Sequence, residues 1–72
     1  MRSGDLQARR LSLGMAREGL GVAEVADRMG LDAVGFLARM YRREEFTMEE
    51  IRTLSGILAL DADEIKWIFF EC

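Results

Sequence analysis

Three arginines close together, Arg39, Arg42 and Arg43, are the side chains of this sequence best suited to binding an anion. A guanidinium group is permanently charged and presents its N–H donors in a planar fork that matches a phosphate. Phosphate binding is therefore one chemistry that the cluster predicts. The alternative is local, because cations at the end of a helix complement its dipole and can pair with acidic residues such as Glu44 and Glu45. The sequence leaves both interpretations open for Arg42 and Arg43 and favours the local one for Arg39.

Groups for catalysis or metal binding are scarce. The chain has no histidine and one cysteine, Cys72, which excludes an internal disulfide and a cysteine metal cluster. No nucleophile stands beside a base, and no glycine loop follows a strand. The carboxylate pairs Glu44/Glu45 and Glu49/Glu50 fall at a loop and a helix start, where acidic residues favour the helix dipole. We expect no enzyme, no cofactor and no metal.

Charge is distributed unevenly along the chain. Residues 1–43 contain eight arginines and five acidic residues, a balance of +3, whereas residues 44–72 contain Arg52 and Lys66 against eight acidic residues, a balance of −6. The two balances give the net charge of −3. The polarity could orient the domain on a phosphate backbone. The alternative is that both halves are solvated surface.

The arginines end a segment, Val22–Arg43, that predicts a short helix, a tight turn and a second helix. Apolar residues of the first helix recur at i, i+3, i+4 and i+7; they are Val22, Val25, Ala26 and Met29. Gly21 can cap this helix, Gly30 can supply the left-handed residue that ends it, and Asp32 can cap the next helix. Helices this short cannot bury their apolar faces on each other alone, so the rest of the chain must supply a scaffold.

The second helix of the pair, predicted from about Ala33 to Tyr41, has two different faces. Phe36 and Met40 lie on one side with Leu31 just before them, and we expect these three inside. The other side has little hydrogen-bonding capacity, since it carries Val34, Ala38, Tyr41 and Arg42, flanked by Ala33 and Leu37.

The scaffold begins with a helix predicted to be capped by Ser3 or Asp5 and to end near Glu18, with Gly19 as its stop. Gly14 in its middle costs up to about 1 kcal/mol of helix propensity relative to alanine. It indicates either close packing against a neighbour or plain tolerance.

Two capping boxes open the remaining helices. Thr47 and Glu50 form the first, and Asp61 and Glu64 form the second. The predicted core draws on all five helices and consists of Leu11, Met15, Val25, Ala26, Leu31, Phe36, Met40, Phe46, Ile51, Leu54, Leu58, Ile65 and Phe69.

The fifth helix is apolar on nearly all sides. Ile65, Ile68 and Phe69 form one stripe, and Trp67 and Phe70 fall largely outside it. A helix that is apolar all round must be covered from more than one direction. Trp67 and Phe70 are therefore candidates for a homodimer interface, the alternative being that they complete the monomer core.

Taken together, REGL, VADRMGL and FTMEEIRTLSGILALDADEI resemble the lambda-repressor-like family of phage and bacterial helix-turn-helix regulators. The resemblance implies an all-α, compact five-helix domain spanning residues 1–72, with the helix-turn-helix in helices 2 and 3. It implies binding to double-stranded DNA as a homodimer. The family usually has Asn-Gly where this chain has Tyr41 and Arg42, so the turn after the third helix is expected to differ.

The resemblance also implies which residues lie at the DNA. Where the family usually has glutamine, serine, asparagine or arginine to read bases, this chain has Ala33, Val34 and Ala38. Val22 stands where the family often has a phosphate-binding glutamine. Methyl groups can contact thymine methyls but cannot make the bidentate hydrogen bonds that discriminate bases strongly. The implied DNA-binding set, with weak base readout, is Val22, Ala33, Val34, Ala38, Tyr41, Arg42 and Arg43.

Two functions from different classes follow. The first is a small repressor-type regulator that binds DNA. The second is a protein-interaction module on the same fold, in which the apolar side of the third helix, including Leu37, binds a partner helix. No apolar run approaches the ~20 residues that span a bilayer, and no charged-then-apolar leader is present. A cytoplasmic protein is therefore expected.

Overall fold

The structure, a computed structural model, describes residues 3–71, so Cys72 lies outside it. These residues form five helices and no strand: α1 Ser3–Arg17, α2 Val22–Arg28, α3 Ala33–Met40, α4 Met48–Leu58 and α5 Ala62–Ile65, which continues as a π-helical segment, Lys66–Phe70. The predicted all-helical, five-helix class is confirmed. Ser3 and Asp5 both lie inside the first turn of α1, so the prediction that one of them occupies the N-cap position is wrong. In that turn the negative charge of Asp5 instead complements the helix dipole.

Both predicted capping boxes form. The Thr47 hydroxyl accepts the backbone N–H of Glu50 at 3.0 Å, and the Glu50 carboxylate accepts the backbone N–H of Thr47 at 2.9 Å. Asp61 and Glu64 repeat this reciprocal pair at 2.8 and 3.1 Å. The starts of α4 and α5 are therefore fixed by residues only three positions apart, which is why the sequence alone locates them.

The core is a single cluster of buried apolar side chains from α1 to α4 and the π-helical segment, whereas α5 contributes none: Ala8, Leu11, Met15, Val25, Ala26, Phe36, Met40, Ile51, Leu54, Leu58, Ile68 and Phe69. Leu31, Phe46 and Ile65 were predicted inside but are only partly buried against this cluster. Leu31 and Phe46 lie in connections between helices. Of the predicted stripe on the fifth helix, Ile68 and Phe69 in the π-helical segment are buried, while Ile65 just before that segment is only partly buried.

Side chains on one side of α1 donate hydrogen bonds to backbone carbonyls at the ends of three other helical segments. The sequence does not predict these hydrogen bonds. The donors are Gln7, Arg10 and Arg17. Their acceptors are the backbone carbonyls of Arg39 and Met40 for Gln7, of Trp67 and Glu71 for Arg10, and of Leu58 and Ala59 for Arg17. The last carbonyls of a helix have no partner within it, so these bonds satisfy groups that would otherwise need water. The two arginines also place positive charge at the negative ends of helix dipoles.

Two glycines bring α1 close to its neighbours. A Cβ atom on Gly4 would lie 2.1 Å from the carbonyl oxygen of Tyr41, so only glycine fits there without a shift of the backbone. A Cβ atom on Gly14 would lie 3.5 Å from Leu60 and 3.7 Å from Leu58, which is ordinary van der Waals contact. Gly14 is therefore closely packed and would still accommodate alanine.

Candidate nucleic-acid interface

A tight turn joins α2 to α3. Gly30 has the predicted left-handed conformation, with φ of 73°, and the backbone N–H of Leu31 donates to the carbonyl of Ala26 at 2.9 Å. Asp32 caps α3 as predicted, because its carboxylate accepts the backbone N–H of Gly35 at 2.6 Å. A Cβ atom on Gly35 would lie 2.9 Å from the same carboxylate oxygen, so glycine allows the cap to close.

The inner face of α3 is firmly anchored. Phe36 and Met40 are buried as predicted, and the Phe36 ring meets the Phe46 ring edge-on with centroids 6.2 Å apart. At the end of the helix, the side-chain amide of Gln7 donates to the carbonyls of Arg39 and Met40 at 2.9 and 3.0 Å. Side-chain packing and end capping together fix the orientation of this helix.

Gln7 is a residue that the sequence reasoning missed. Among the described residues, Gln7 is the polar residue that is buried with the core. The backbone carbonyls to which it donates lie more than thirty positions away in the sequence. Gln7 precedes Leu11 by four residues and so lies on the inward side of α1. A lone glutamine on an apolar stripe was the available signal, and it could not identify the partner.

Arg39 is directed towards α4. Its guanidinium donates to the carboxylates of Glu50 at 3.1 Å and Glu44 at 3.2 Å, and to the carbonyl of Gly35 at 3.0 Å. The local role predicted for this arginine is confirmed. Burial of Glu50 would by itself raise the pKa of its carboxyl, but hydrogen bonds from the Thr47 backbone and from Arg39 hold that pKa below its ordinary value. Glu50 thus links the end of α3 to the capping box of α4.

The side chains of the two arginines after α3 make fewer interactions within the chain than that of Arg39 does. Arg42 adopts a left-handed conformation with φ of 61°, which favours glycine. Its guanidinium lies 3.7 Å from the Glu45 carboxylate, an exposed pair that contributes little. The backbone N–H of Arg43 donates to the carbonyl of Ala38, but the Arg43 side chain makes no hydrogen bond or ion pair with the part of the chain that the structure describes. Both guanidinium groups are therefore available to an anionic ligand.

The other side of α3 faces solvent. We call Val34, Leu37, Ala38 and Tyr41 the outer stripe, since they recur at i, i+3, i+4 and i+7 on one side of the helix. Val34 is 77% exposed, Leu37 and Tyr41 are exposed to a lesser degree, and Ala38 is partly buried. Ala33 is exposed beside the stripe. The Tyr41 hydroxyl is the one hydrogen-bonding group that these side chains offer.

Val22 is placed differently from the rest of the implied DNA-binding set. It is partly buried and packs against the core at the start of α2. The other members lie on α3 or in the turn that follows it: Ala33, Val34, Ala38, Tyr41, Arg42 and Arg43. The exposed surface of the set is therefore concentrated on one helix and its exit.

A second exposed apolar group lies on the π-helical segment. Trp67 is 39% exposed and Phe70 is 59% exposed, in agreement with their predicted place outside the inward stripe. The Arg10 guanidinium lies 4.7 Å from the centre of the Trp67 ring, within cation–π distance. The Phe70 ring meets that of Phe69 edge-on at 6.5 Å. Trp67 is thus partly covered from within the chain, whereas Phe70 is mostly open.

No protein-family model, no curated protein and no solved structure matches this chain. Within residues 3–71, no three acidic or cysteine side chains are grouped to hold a metal ion. The helices of that range are also too short or too polar to cross a membrane. A functional assignment therefore depends on the side chains of α3 and its surroundings.

Proposed function

We propose that the protein is a small DNA-binding transcriptional regulator of the phage or bacterial repressor type, with α2 and α3 as its helix-turn-helix. The observation that carries the proposal is the contrast within α3. Its inner face is fixed by Phe36, Met40 and Gln7, while its outer stripe is exposed and unobstructed. An α-helix presented in this way fits the major groove of B-DNA.

Phosphate contacts dominate the proposed binding. Arg42 and Arg43 leave the end of α3 with little internal pairing, whereas the outer stripe offers few hydrogen bonds to base edges. Affinity should consequently depend on ionic strength far more than on sequence. The proposal involves no catalysis, cofactor or metal, and places the protein in the cytoplasm, where the DNA of such hosts is found.

A salt titration tests the proposal. We expect mixed genomic DNA fragments to bind at low salt, with affinity falling steeply as salt rises. Replacing Arg42 and Arg43 by alanine should flatten the log–log slope by about 2, because two phosphate contacts are lost. The matched control replaces Arg9 and Arg28, exposed arginines on α1 and α2, and should change the slope much less. Absence of binding at low salt contradicts the proposal.

The proposed regulator acts as a homodimer through the π-helical segment. Trp67 and Phe70 lie three residues apart and are 39% and 59% exposed, and an exposed apolar patch can mark a protein–protein contact. A two-fold dimer would present two copies of α3 to half-sites about 34 Å apart, one turn of DNA.

A protein-interaction module is the second candidate function, and the composition of the outer stripe favours it. Val34, Leu37 and Ala38 carry no polar side-chain atom and could pack against an amphipathic partner helix. Under this alternative DNA does not bind at low salt, and a complex with the partner resists high salt because apolar burial is not screened. Leu37→Asp should then abolish the complex by placing a charge in an apolar contact.

A further inference from the structure

We infer that the outer stripe of α3 recognises the 5-methyl groups of pyrimidines in the major groove, so that the protein prefers DNA rich in thymine or 5-methylcytosine. The inference rests on the proposed DNA-binding function and adds a chemical class of target to it. It concerns which bases are favoured, whereas the arginines concern whether DNA is bound at all.

The stripe presents methyl groups and almost nothing else. Val34, Leu37 and Ala38 all end in methyl groups, and Val34 projects furthest from the domain, being 77% exposed. From Val34 to Tyr41 the helix advances about 10 Å at 1.5 Å per residue. With about 3.4 Å between successive bases on a strand, the stripe can lie along roughly three base pairs.

Base edges in the major groove differ in how well they suit such a surface. All four bases, thymine with its O4 included, present hydrogen-bond donors or acceptors there, and aliphatic side chains can only cover these groups without bonding them. Thymine adds a methyl group at C5, the apolar feature of that groove. Methylation of cytosine places the same group at the same position. A 5-methylpyrimidine is therefore the base that this stripe complements.

The charge around the stripe selects DNA over an apolar partner. Residues 33–43 contain three arginines and no acidic residue. Arg39 is held by Glu50 and Glu44, whereas Arg42 has only the exposed, 3.7 Å pair with Glu45 and the Arg43 side chain has no partner among the described residues, so both can contact phosphates at one end of the stripe. A strip of methyl groups with cations at its exit matches the floor of the major groove and the anionic backbone beside it.

Four synthetic duplexes of about 20 base pairs, two helical turns, test the inference by fluorescence anisotropy at low salt. One pair alternates adenine with thymine or with uracil, which lacks the methyl group. The other alternates guanine with cytosine or with 5-methylcytosine. Within each pair the phosphates and hydrogen-bonding groups are the same, so affinity differences report the methyl group.

We expect the methylated member of each pair to bind more tightly, by about fourfold for each methyl group buried. Discrimination in the adenine pair alone identifies thymine as the target, and discrimination in both pairs identifies any 5-methylpyrimidine. Discrimination in the guanine pair alone identifies 5-methylcytosine. Each of these results supports the inference and distinguishes the source of the methyl group.

Two variants locate the effect. Val34→Ser removes the most exposed methyl groups and should reduce the methylated-to-unmethylated affinity ratio; circular dichroism checks that it remains folded. Replacing Arg42 and Arg43 by alanine should weaken all four duplexes and leave the ratios unchanged.

Equal affinity within both pairs overturns the inference while leaving DNA binding, and so the proposed function, intact. A Val34→Ser variant that keeps the full ratio also overturns it, because the preference would then arise elsewhere. Failure of all four duplexes to bind at low salt overturns the inference and the proposed function together.

Discussion

Two segments of this domain expose apolar side chains, and they lie in parts of the sequence that differ in charge. The outer stripe of α3 lies in residues 33–43, which contain three arginines and no acidic residue. Trp67 and Phe70 lie in residues 44–72, where acidic residues outnumber basic ones by six. Exposed apolar area alone does not identify what covers it. The charge of the sequence around each segment helps to identify the class of ligand. It favours an anionic polymer for the first segment and another protein surface for the second.

The two segments also differ in how they are held. α3 buries Phe36 and Met40, and Gln7 and Arg39 tie its end to α1 and α4. The π-helical segment buries Ile68 and Phe69, and Arg10 bonds its carbonyls. A recognition surface benefits from a helix that cannot shift, whereas an oligomer contact gains additional support from the second copy.

The largest expected effect tests whether α3 is the more deeply anchored segment. Phe36→Ala should lower the free energy of unfolding by about 3–5 kcal/mol, because a fully buried aromatic side chain leaves a cavity. Phe70→Ala, the matched aromatic truncation, should change it by less than about 1 kcal/mol at protein concentrations where the chain is monomeric. Urea titrations of both variants measure the difference. Equal losses would mean that Phe70 contributes as much to the core as Phe36 does and would remove the distinction.

Two glycine substitutions in α1 should have opposite signs. Gly4→Ala forces a Cβ atom onto the Tyr41 carbonyl at the end of α3 and should destabilise the protein by about 1–3 kcal/mol. Gly14→Ala meets only ordinary contacts and should stabilise it by up to about 1 kcal/mol, since alanine restricts the unfolded chain. Thermal unfolding of the pair provides the measurement. A stable Gly4→Ala variant would show that α1 does not hold the end of α3 closely.

The dimer contact is tested by replacing Trp67 and Phe70 together with alanine. Sedimentation should show a shift towards monomer, because the exposed aromatic surface is lost. Val34→Ser is the control from the other segment and should leave the oligomeric state unchanged. A wild-type protein that stays monomeric at high micromolar concentration rules out the contact.

Acid should modestly weaken the contacts of Glu50 at the start of α4 and of Glu64 in α5. The Arg17 guanidinium, together with the backbone of Asp61, lowers the pKa of Glu64, and the pKa of Glu50 is lowered as well. A carboxyl whose pKa is lower in the folded state contributes stability above its ordinary pKa, here 4.5, and that stability is lost as pH falls through the folded value.

Urea midpoints measured from neutral pH to below 4.5 should therefore fall with pH, and Glu50→Gln and Glu64→Gln should each reduce the dependence. Glu49→Gln, which removes an exposed carboxylate from the same helix start, is the control. If all three variants follow the wild-type curve, neither carboxylate contributes in this way.

Local signals explain what the sequence could predict. The capping boxes, the left-handed Gly30 and the Asp32 cap each depend on residues at most three positions apart, and all are present in the structure. The donors of α1 depend on partners from 32 to 61 positions away, which no local pattern identifies. The left-handed Arg42 also has no sequence signal, because its conformation is set by the surrounding contacts and opposes its own preference.

The candidate site follows the same division. Side-chain spacing correctly separated the inner and outer faces of α3, since periodicity depends only on helix geometry. The sequence also favoured a local role for Arg39, but it left Arg42 and Arg43 open and did not predict the contact of Arg39 with Glu50. Arg39 and Arg42 lie three positions apart, and the first is engaged by α4 through a contact that requires the whole fold.

The donors along α1 also affect the timing of folding during synthesis. This helix leaves the ribosome before every segment whose carbonyls it bonds, and the acceptors of Arg10 follow it by 57 and 61 residues. Until the π-helical segment emerges, the guanidinium of Arg10 has only water to bind and its share of the end capping cannot form. The native domain therefore closes only after the π-helical segment has emerged.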